Sequence, residues 1–577
     1  MPRPPIVLGL AAVLSFGAST VQPPLAHAPG DRPAPNPSAT RSVTMARNGL
    51  IAASQPLAAA AGLQVLLEGG NAVDAAVTAA AVLAVVEPTM NGIGGDLFAI
   101  VHDGRRRTLH GLNASGRSPY AATPEALAAR GLREVPARGI LSVSVPGVVD
   151  GWASLLERFG TISLARAVAP AIRYAREGFP VAEIVAVQWQ TVEGVLARDE
   201  AAARVYLPGG RAPRAGEVFR NPALAATLET IARSGPDAFY RGPIAEAIAA
   251  DAARRGGLLA RRDLAEHRSD WVDPISTSYR GHEVFELPPN TQGVVALEML
   301  NILEGYDLRA LGHNSADYLH LLVEAKRLAF ADRDAFIADP DATPRAAVTQ
   351  MLSKAYAASR RAGIDPQRAA RDPRPGALGP SSPGRSGRGP AEGLDAGDTV
   401  YLTAADAAGT VVSLIQSIFS TFGAGIVAGD TGVVLHNRAS LFTLDAGHPN
   451  RLAPHKRPLH TLVPAMVLKD GRPWLSFGVM GGDMQPQGHV QVLVNLIDFG
   501  MNVQEAGEAA RIRHSEAGVA AESGVTAAAR FGLIRRGHRV VAGVDVFGGF
   551  QGILIDPATG VLMGGSDPRK DGLAIGY

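Results

Sequence analysis

The sequence predicts a mixed α/β protein, and three observations carry that prediction. From residue 48 onward, Ala- and Val-rich segments with helical spacing alternate with short β-branched runs. Apolar residues make up 46% of the 577 positions and charged residues 19%, ample for packed cores in a chain too long for a single one. The middle of the chain reads as helices and the last third as strands and hairpins, with a Pro-, Gly-, Ser- and Arg-rich stretch between them.

The chain opens on "MPRPPIVLGLAAVLSFGAST", where Arg3 precedes an apolar run from Ile6 to Phe16. That pattern predicts a signal peptide over residues 1–28 and hence a periplasmic or secreted protein, although Pro29 is an unsuitable neighbour for cleavage after Ala26-His27-Ala28. A start at Met45 instead would make the protein cytoplasmic. The apolar run is short for a bilayer, so no permanent membrane anchor is expected. "GLIAASQPLAAAAGLQVLLEGG" then reads as a strand, a turn and a helix closed by Gly69-Gly70, and a second helix runs from Asn71 to about Val86, ended by Pro88. Its apolar residues lie on most faces, so it should be buried.

In "NGIGGDLFAI" the glycines follow a helix and precede a strand, the reverse of a dinucleotide fingerprint, and so mark a structural or substrate-facing turn. Helical periodicity dominates from about Pro124 to Ile364, with one strand-like interruption at "YRGHEVFELPPNTQG". Residues 365–398 cannot bury an apolar face and read as a linker or exposed loop, a favourable place for a chain break. Beyond it, "VYLTAADAAGTVVSLIQS" predicts a hairpin turning at Asp406-Ala407-Ala408-Gly409, and further strands are expected at "GVVLHN", "TLVPAMVLKDGRPWLSFGV" and "GFQGILIDPATGVLMGG".

Lys plus Arg (55) balances Asp plus Glu (54), which argues against nucleic acid as a partner. With no cysteine, covalent catalysis would have to use Ser, Thr or Lys. Thr399 stands where the linker meets a strand. A threonine freed at an N-terminus brings its own base, because the α-amine has a pKa of ~7.7–8.0, near enough to neutrality to accept and return a proton. The same hydroxyl would first attack the Asp398 carbonyl to release that amine. An ordinary strand threonine is the alternative reading of this residue.

Several long motifs, in order, carry a resemblance. "GLIAASQPLAAAAGLQVLLEGGNAVDAAVTAA", "EPTMNGIGGDLF", "SVSVPGVVDGW", "PPNTQG", "GDTVYLTAADAAGTVVSLIQS", "FGAGIV", "MGGDMQPQGHVQ" and "DPRKDGLAIGY" resemble the γ-glutamyltransferase (glutathione hydrolase) family of N-terminal-nucleophile hydrolases over nearly the whole chain beyond about Ser42. The resemblance implies a four-layer αββα sandwich. It also implies a proenzyme that cuts itself between Asp398 and Thr399 into a large subunit (40–398) and a small one (399–577), which remain together as a heterodimer. No cofactor and no metal are implied.

Position by position, Thr399 matches the family nucleophile, and Ser417 a second hydroxyl residue near its amine, Ser here for the usual Thr. Gly481 and Gly482 match the pair whose N–H groups bind the oxyanion. The substrate-holding positions depart. Asn113 stands where glutathione-cleaving members have an arginine, with Arg117 displaced along the chain. Phe419, Arg438 and Leu441 replace the Asn, Gln and acidic residues that hold the amino-acid end, and His460-Thr461 replaces a Ser-Ser pair. Loss of the acidic group disfavours an ammonium, while Arg438 offers a fork for a carboxylate. The resemblance is therefore closest to a divergent branch that includes oxamate amidohydrolase-like proteins.

Three functions follow as expectations. One is a self-processing amide hydrolase acting on a carboxylate-bearing acyl group such as that of oxamate. Transfer to another amine in place of hydrolysis is a variant of it, and another reading keeps glutathione or a further γ-glutamyl compound as substrate, bound by unfamiliar contacts. A third is a non-catalytic binding relative, to which the linker and Thr399 give no purpose.

Overall fold

The computed structural model describes residues 40–378, 399–543 and 546–577. The predicted signal over 1–28, the later part of the predicted linker (379–398) and Asp398 lie outside these residues. Among the described residues, no helix is long and apolar enough to cross a membrane.

The N-terminal helices form where the sequence places them, for local reasons. Pro56–Leu67 starts on Gln55, whose side chain accepts from the N–H groups of Leu57 and Ala58. Ala72–Val86 starts on a capping box made by Asn71 and Asp74, and all of its residues are buried, as apolar side chains on every face require.

Two seven-stranded antiparallel sheets form the centre. The first runs Leu573–Gly576, Gly49–Ala53, Val400–Asp406, Val411–Ser417, Asp96–Asp103, Thr108–Ala114, Asp270–Val272. The second runs Thr44–Ala46, Leu562–Ser566, Phe550–Ile555, Arg472–Val479, Ala465–Lys469, His282–Glu286, Ile275–Tyr279. Both sheets thus interleave strands from before residue 378 with strands from after residue 399.

Alternation along each strand sorts side chains onto two faces. Phe98, Ile100, Tyr401 and Ile415 of the first sheet meet Met466 and Ile553 of the second in a core between the sheets. The opposite face of the first sheet, with Leu97, Leu402 and Leu414, packs on the two N-terminal helices. The outer face of the second packs on helices Gly293–Leu303 and Met484–Ile497, and helix Ala316–Phe336 packs on the first of these. The order is helix, sheet, sheet, helix, an αββα sandwich as expected.

Two local expectations need correcting. "GVVLHN" forms isolated bridges, Gly94 with Leu435 and Val427 with Val434, and no regular strand. Its backbone pairs instead within a folded loop, Ala424 N–H to Leu435 O at 2.8 Å and Ala428 N–H to Val433 O at 3.0 Å. Left-handed Gly429 and Gly432 bend it out of any ladder. In the helical middle region, strand structure also occurs outside the single interruption predicted, as the short pair Phe179–Pro180 with Val218–Phe219 and as Asp270–Val272.

Candidate active site

The site forms at one end of the core between the sheets. Val400 pairs with Gln416 in one ladder and Ser417 with Asp96 in the next. One step beyond Val400 the same register brings Thr399 level with Ser417, so Thr399, Ser417 and Asp96 lie in a row across three strands, all on the face that looks between the sheets. Gly95 permits the close approach, since a Cβ there would lie 2.3 Å from the Ser417 carbonyl oxygen. All three side chains are buried.

The opposing sheet brings the glycine pair to the same level. Thr403 Oγ1 lies 2.7 Å from Ser476 Oγ, and the Tyr401 ring packs where a side chain on Gly478 would sit. A further step along both strands reaches Thr399 on one and Met480 on the other, followed at once by Gly481 and Gly482. Both glycines have left-handed φ, 109° and 57°, and among the described residues neither N–H donates to a backbone carbonyl. Gln292 holds this turn by donating to Gly482 O at 3.1 Å and to Thr461 O at 3.0 Å, while Arg333 donates to its Oε1 at 2.6 Å and to Asp483 at 2.7 Å.

Ser417 Oγ accepts the Phe419 N–H at 2.7 Å, which fixes a tight turn with Phe419 in the left-handed region, φ 77°. The turn places the Phe419 ring under the Arg438 guanidinium, 4.4 Å from its centroid. Arg438 begins the short helical turn Arg438–Leu441, so Leu441 is buried beside it. Its Nη1 donates to Thr461 Oγ1 at 3.0 Å, and its Nε faces Asp96 Oδ2 at 3.5 Å. Nε and Nη2 are buried without a hydrogen-bond acceptor. Burial pushes Arg438 down to about 10, against the pull of Asp96, so it stays cationic at neutral pH.

Asp96 is the hub of this cluster. It accepts from His436 Nδ1 at 2.9 Å, His460 Nε2 at 3.1 Å and Gly116 N–H at 2.9 Å. Burial alone would raise its pKa, but the His436 ring and the hydrogen bonds from both histidines outweigh it and hold the carboxyl well below the usual range. The neutral His460 ring that donates from Nε2 also accepts the Leu462 N–H at Nδ1, at 3.3 Å. Burial, with the Arg438 charge, pushes His460 down to about 3.

The structure therefore brings together Thr399, Ser417, Arg438, His460 and Thr461, with Gly481 and Gly482 at the level of Thr399. Asn113 lies one layer behind. Its amide donates to Asn290 at 2.8 Å and accepts from Ser115, while the Asn290 carbonyl accepts the His460 N–H at 2.8 Å, so Asn113 braces the loop that carries His460. Arg117 lies apart from this cluster, beside Asp270 and Asp339. Sequence reading missed Asp96, His436 and Gln292. The available signal was the carboxylate in "GGDLFAIV", a lone charge opening an otherwise apolar, buried strand. The group of His and carboxylate side chains close enough to hold a metal among the described residues, His320, Glu324 and His538, lies elsewhere.

Residues 58–577 match the family model for gamma-glutamyltranspeptidase. The chain belongs to the gamma-glutamyltranspeptidase family. It is 38% identical over 530 residues to the glutathione hydrolase-like YwrD proenzyme of Bacillus subtilis (strain 168), covering 90% of this chain and 97% of the relative. It is 36% identical over 551 residues to the oxamate amidohydrolase proenzyme of Klebsiella pneumoniae, covering 93% and 100%. Among solved structures, cephalosporin acylase from Bacillus halodurans superposes with a TM-score of 0.86 at 42% identity, covering 93% of this chain and 97% of that one. The protein is thus an enzyme of a family of amide hydrolases and transpeptidases, several of them made as proenzymes.

Proposed function

We propose that the chain cleaves itself between Asp398 and Thr399 and then hydrolyses amides whose acyl group carries a carboxylate but no ammonium. In the first reaction the Thr399 hydroxyl attacks the Asp398 carbonyl and the C–N bond breaks, leaving an ester. Water hydrolyses that ester, giving a free Asp398 carboxylate and a free Thr399 α-amine. In the second, Thr399 Oγ1 attacks the substrate carbonyl while the α-amine takes its proton and passes it to the leaving nitrogen. The amine departs, and water, deprotonated by the same α-amine, hydrolyses the acyl ester. The N–H groups of Gly481 and Gly482 would receive the oxyanion in each step.

The observation that carries the substrate reading is Arg438: a buried guanidinium with two donors lacking acceptors, stacked on Phe419 and flanked by Leu441. A substrate carboxylate would supply an acceptor for Nη2, beside the countercharge that Asp96 already gives at 3.5 Å from Nε. No carboxylate stands at Leu441 or Phe419 to meet a substrate ammonium. The relative named for oxamate, whose acyl group carries a carboxylate and no ammonium, supports this reading. The relative named glutathione hydrolase-like favours the second reading, a γ-glutamyl substrate bound by other contacts.

A denaturing gel tests processing: two fragments are expected from the native chain and one from Thr399→Ala, and processing of that variant would remove Thr399 from the role. A matched pair tests the acyl group. Glutaryl and γ-glutamyl p-nitroanilide differ only in the α-amine, and the glutaryl compound should show the higher kcat/KM. Preference for the γ-glutamyl compound would transfer support to the second reading.

A further inference from the structure

A cavity of about 420 Å³, separate from the active site, is lined by Arg327, Arg368, Arg371, Arg536 and Arg539, with Glu516 as its one carboxylate. It forms where the segment 365–371 lies over helix Ala316–Phe336 and the chain that follows helix Ala527–Arg535. That segment is held through its backbone. Asp365 O accepts from His320 Nε2 at 2.8 Å, Ala369 N–H donates to Arg536 O at 2.7 Å, and Ala370 N–H donates to Glu324 at 3.0 Å. Arg368 and Arg371, on either side of these anchors, are thereby carried to the rim on a fixed backbone.

The cations differ in what they already meet. Arg327 donates to Glu324 at 2.8 Å, and Arg536 is paired with Asp317 and donates to Gly532 O at 3.1 Å. Arg368, Arg371 and Arg539 make no ion pair among the described residues. The excess of positive charge is felt by the histidines at the cavity wall. Burial, then Lys326 and Arg327, push His514 down to about 2. Burial, then His320, Arg327 and Arg536, push His538 down to about 4.

His320, Glu324 and His538 beneath the cavity have the spacing of a metal site. Charge decides against a cation there. Glu324 already accepts from Arg327 and Ala370, His320 Nδ1 lies 2.7 Å from His538 Nε2, and the surrounding guanidinium groups would repel a dication. The same groups favour an anion.

We propose that this cavity binds a compact anion with several charged oxygens, of the phosphate or polycarboxylate class. Guanidinium forks match such oxygens bidentately, and a ligand with several anionic oxygens can present a pair to each of Arg371 and Arg539. The ligand would join residues 368–371 to residues 514–539. The proposal is independent of substrate choice and of processing at Thr399.

The test is calorimetric titration of the full chain with inorganic phosphate, pyrophosphate and citrate, each at constant ionic strength set with chloride. Saturable binding of at least one probe is expected at one per chain. Arg371→Ala and Arg539→Ala should each weaken it by ~10-fold or more, the loss of a charged hydrogen-bonding partner. Both side chains are exposed, so both variants should keep the native melting temperature and amide-hydrolase rate. Arg539→Lys should bind with intermediate affinity. Absence of saturable binding by all three probes, or unchanged affinity in both Ala variants, would overturn the proposal.

Discussion

Replacing Arg438 by Met removes a guanidinium while keeping much of its volume, which separates its charge from its packing. In the native chain the group lies 3.5 Å from Asp96, 3.0 Å from Thr461 and 4.4 Å from the Phe419 ring centroid, with Nε and Nη2 lacking acceptors. A substrate carboxylate paired there would be desolvated, and truncating one partner of such a pair costs ~2–5 kcal/mol, about 30- to 4000-fold in kcat/KM. Asp96 would keep its donors from His436, His460 and Gly116. Removing one member of a buried pair destabilises, so the urea midpoint should fall, but that fall is the same whichever anilide is assayed and is thereby separated from the substrate-specific loss in kcat/KM. The assay compares glutaryl with pentanoyl p-nitroanilide, which have the same chain length but a methyl in place of the carboxylate. The loss should fall on the glutaryl compound alone, Arg438→Lys should recover only part of it, and self-cleavage should survive both changes. An equal loss on the two anilides would show that Arg438 shapes the pocket without touching the carboxylate.

Because both sheets interleave strands from either side of residues 379–398, the cleaved fragments should co-elute in size-exclusion chromatography and separate only in denaturant; dissociation in native buffer would contradict the strand order. Glu298 is buried, and burial with the neighbouring Asp332 raises its pKa well above the carboxylate range. The stability it supplies when protonated is complete below the unfolded value of ~4.3 and is lost as pH rises toward and through the folded one. Glu298→Gln should therefore gain melting temperature relative to the native chain as pH is raised from about 5 to 9, and a pH-independent difference would refute this. His460 and His267 are buried and pushed down to about 3 and about 4, against an unfolded value of ~6.5. Their contribution is complete above pH ~6.5 and is lost as pH falls toward those folded values, by up to ~1.4 kcal/mol per pH unit for each. Urea midpoints of Glu298→Gln, which lacks the opposing contribution of Glu298, should decline accordingly from pH 7.5 to 4.5, and a flat profile would show that these rings are not held neutral.

Much of the frame was legible in the sequence because its causes are local. Capping residues and Ala/Val-rich spacing determined helices Pro56–Leu67 and Ala72–Val86, and alternating apolar runs around Asp406 determined the hairpin whose strands end at Ser417. Thr399, Ser417 and the Gly481-Gly482 pair could be proposed as site residues because they stand within long, ordered family motifs. The interior of "GVVLHN" was misread because β-branched composition does not reveal that flanking glycines turn the segment back on itself. Only the tertiary structure decided which groups surround Arg438. Asp96 lies 340 and 364 residues from His436 and His460 along the chain, and their meeting depends on strand register and loop closure. Nothing in the sequence around Asn113 marks it as a brace for the His460 loop, since that role is made by Asn290 on another element. Periodicity and motif spacing report on a few neighbouring residues, whereas a buried charge is balanced by whichever polar groups the packed chain brings within about 3 Å.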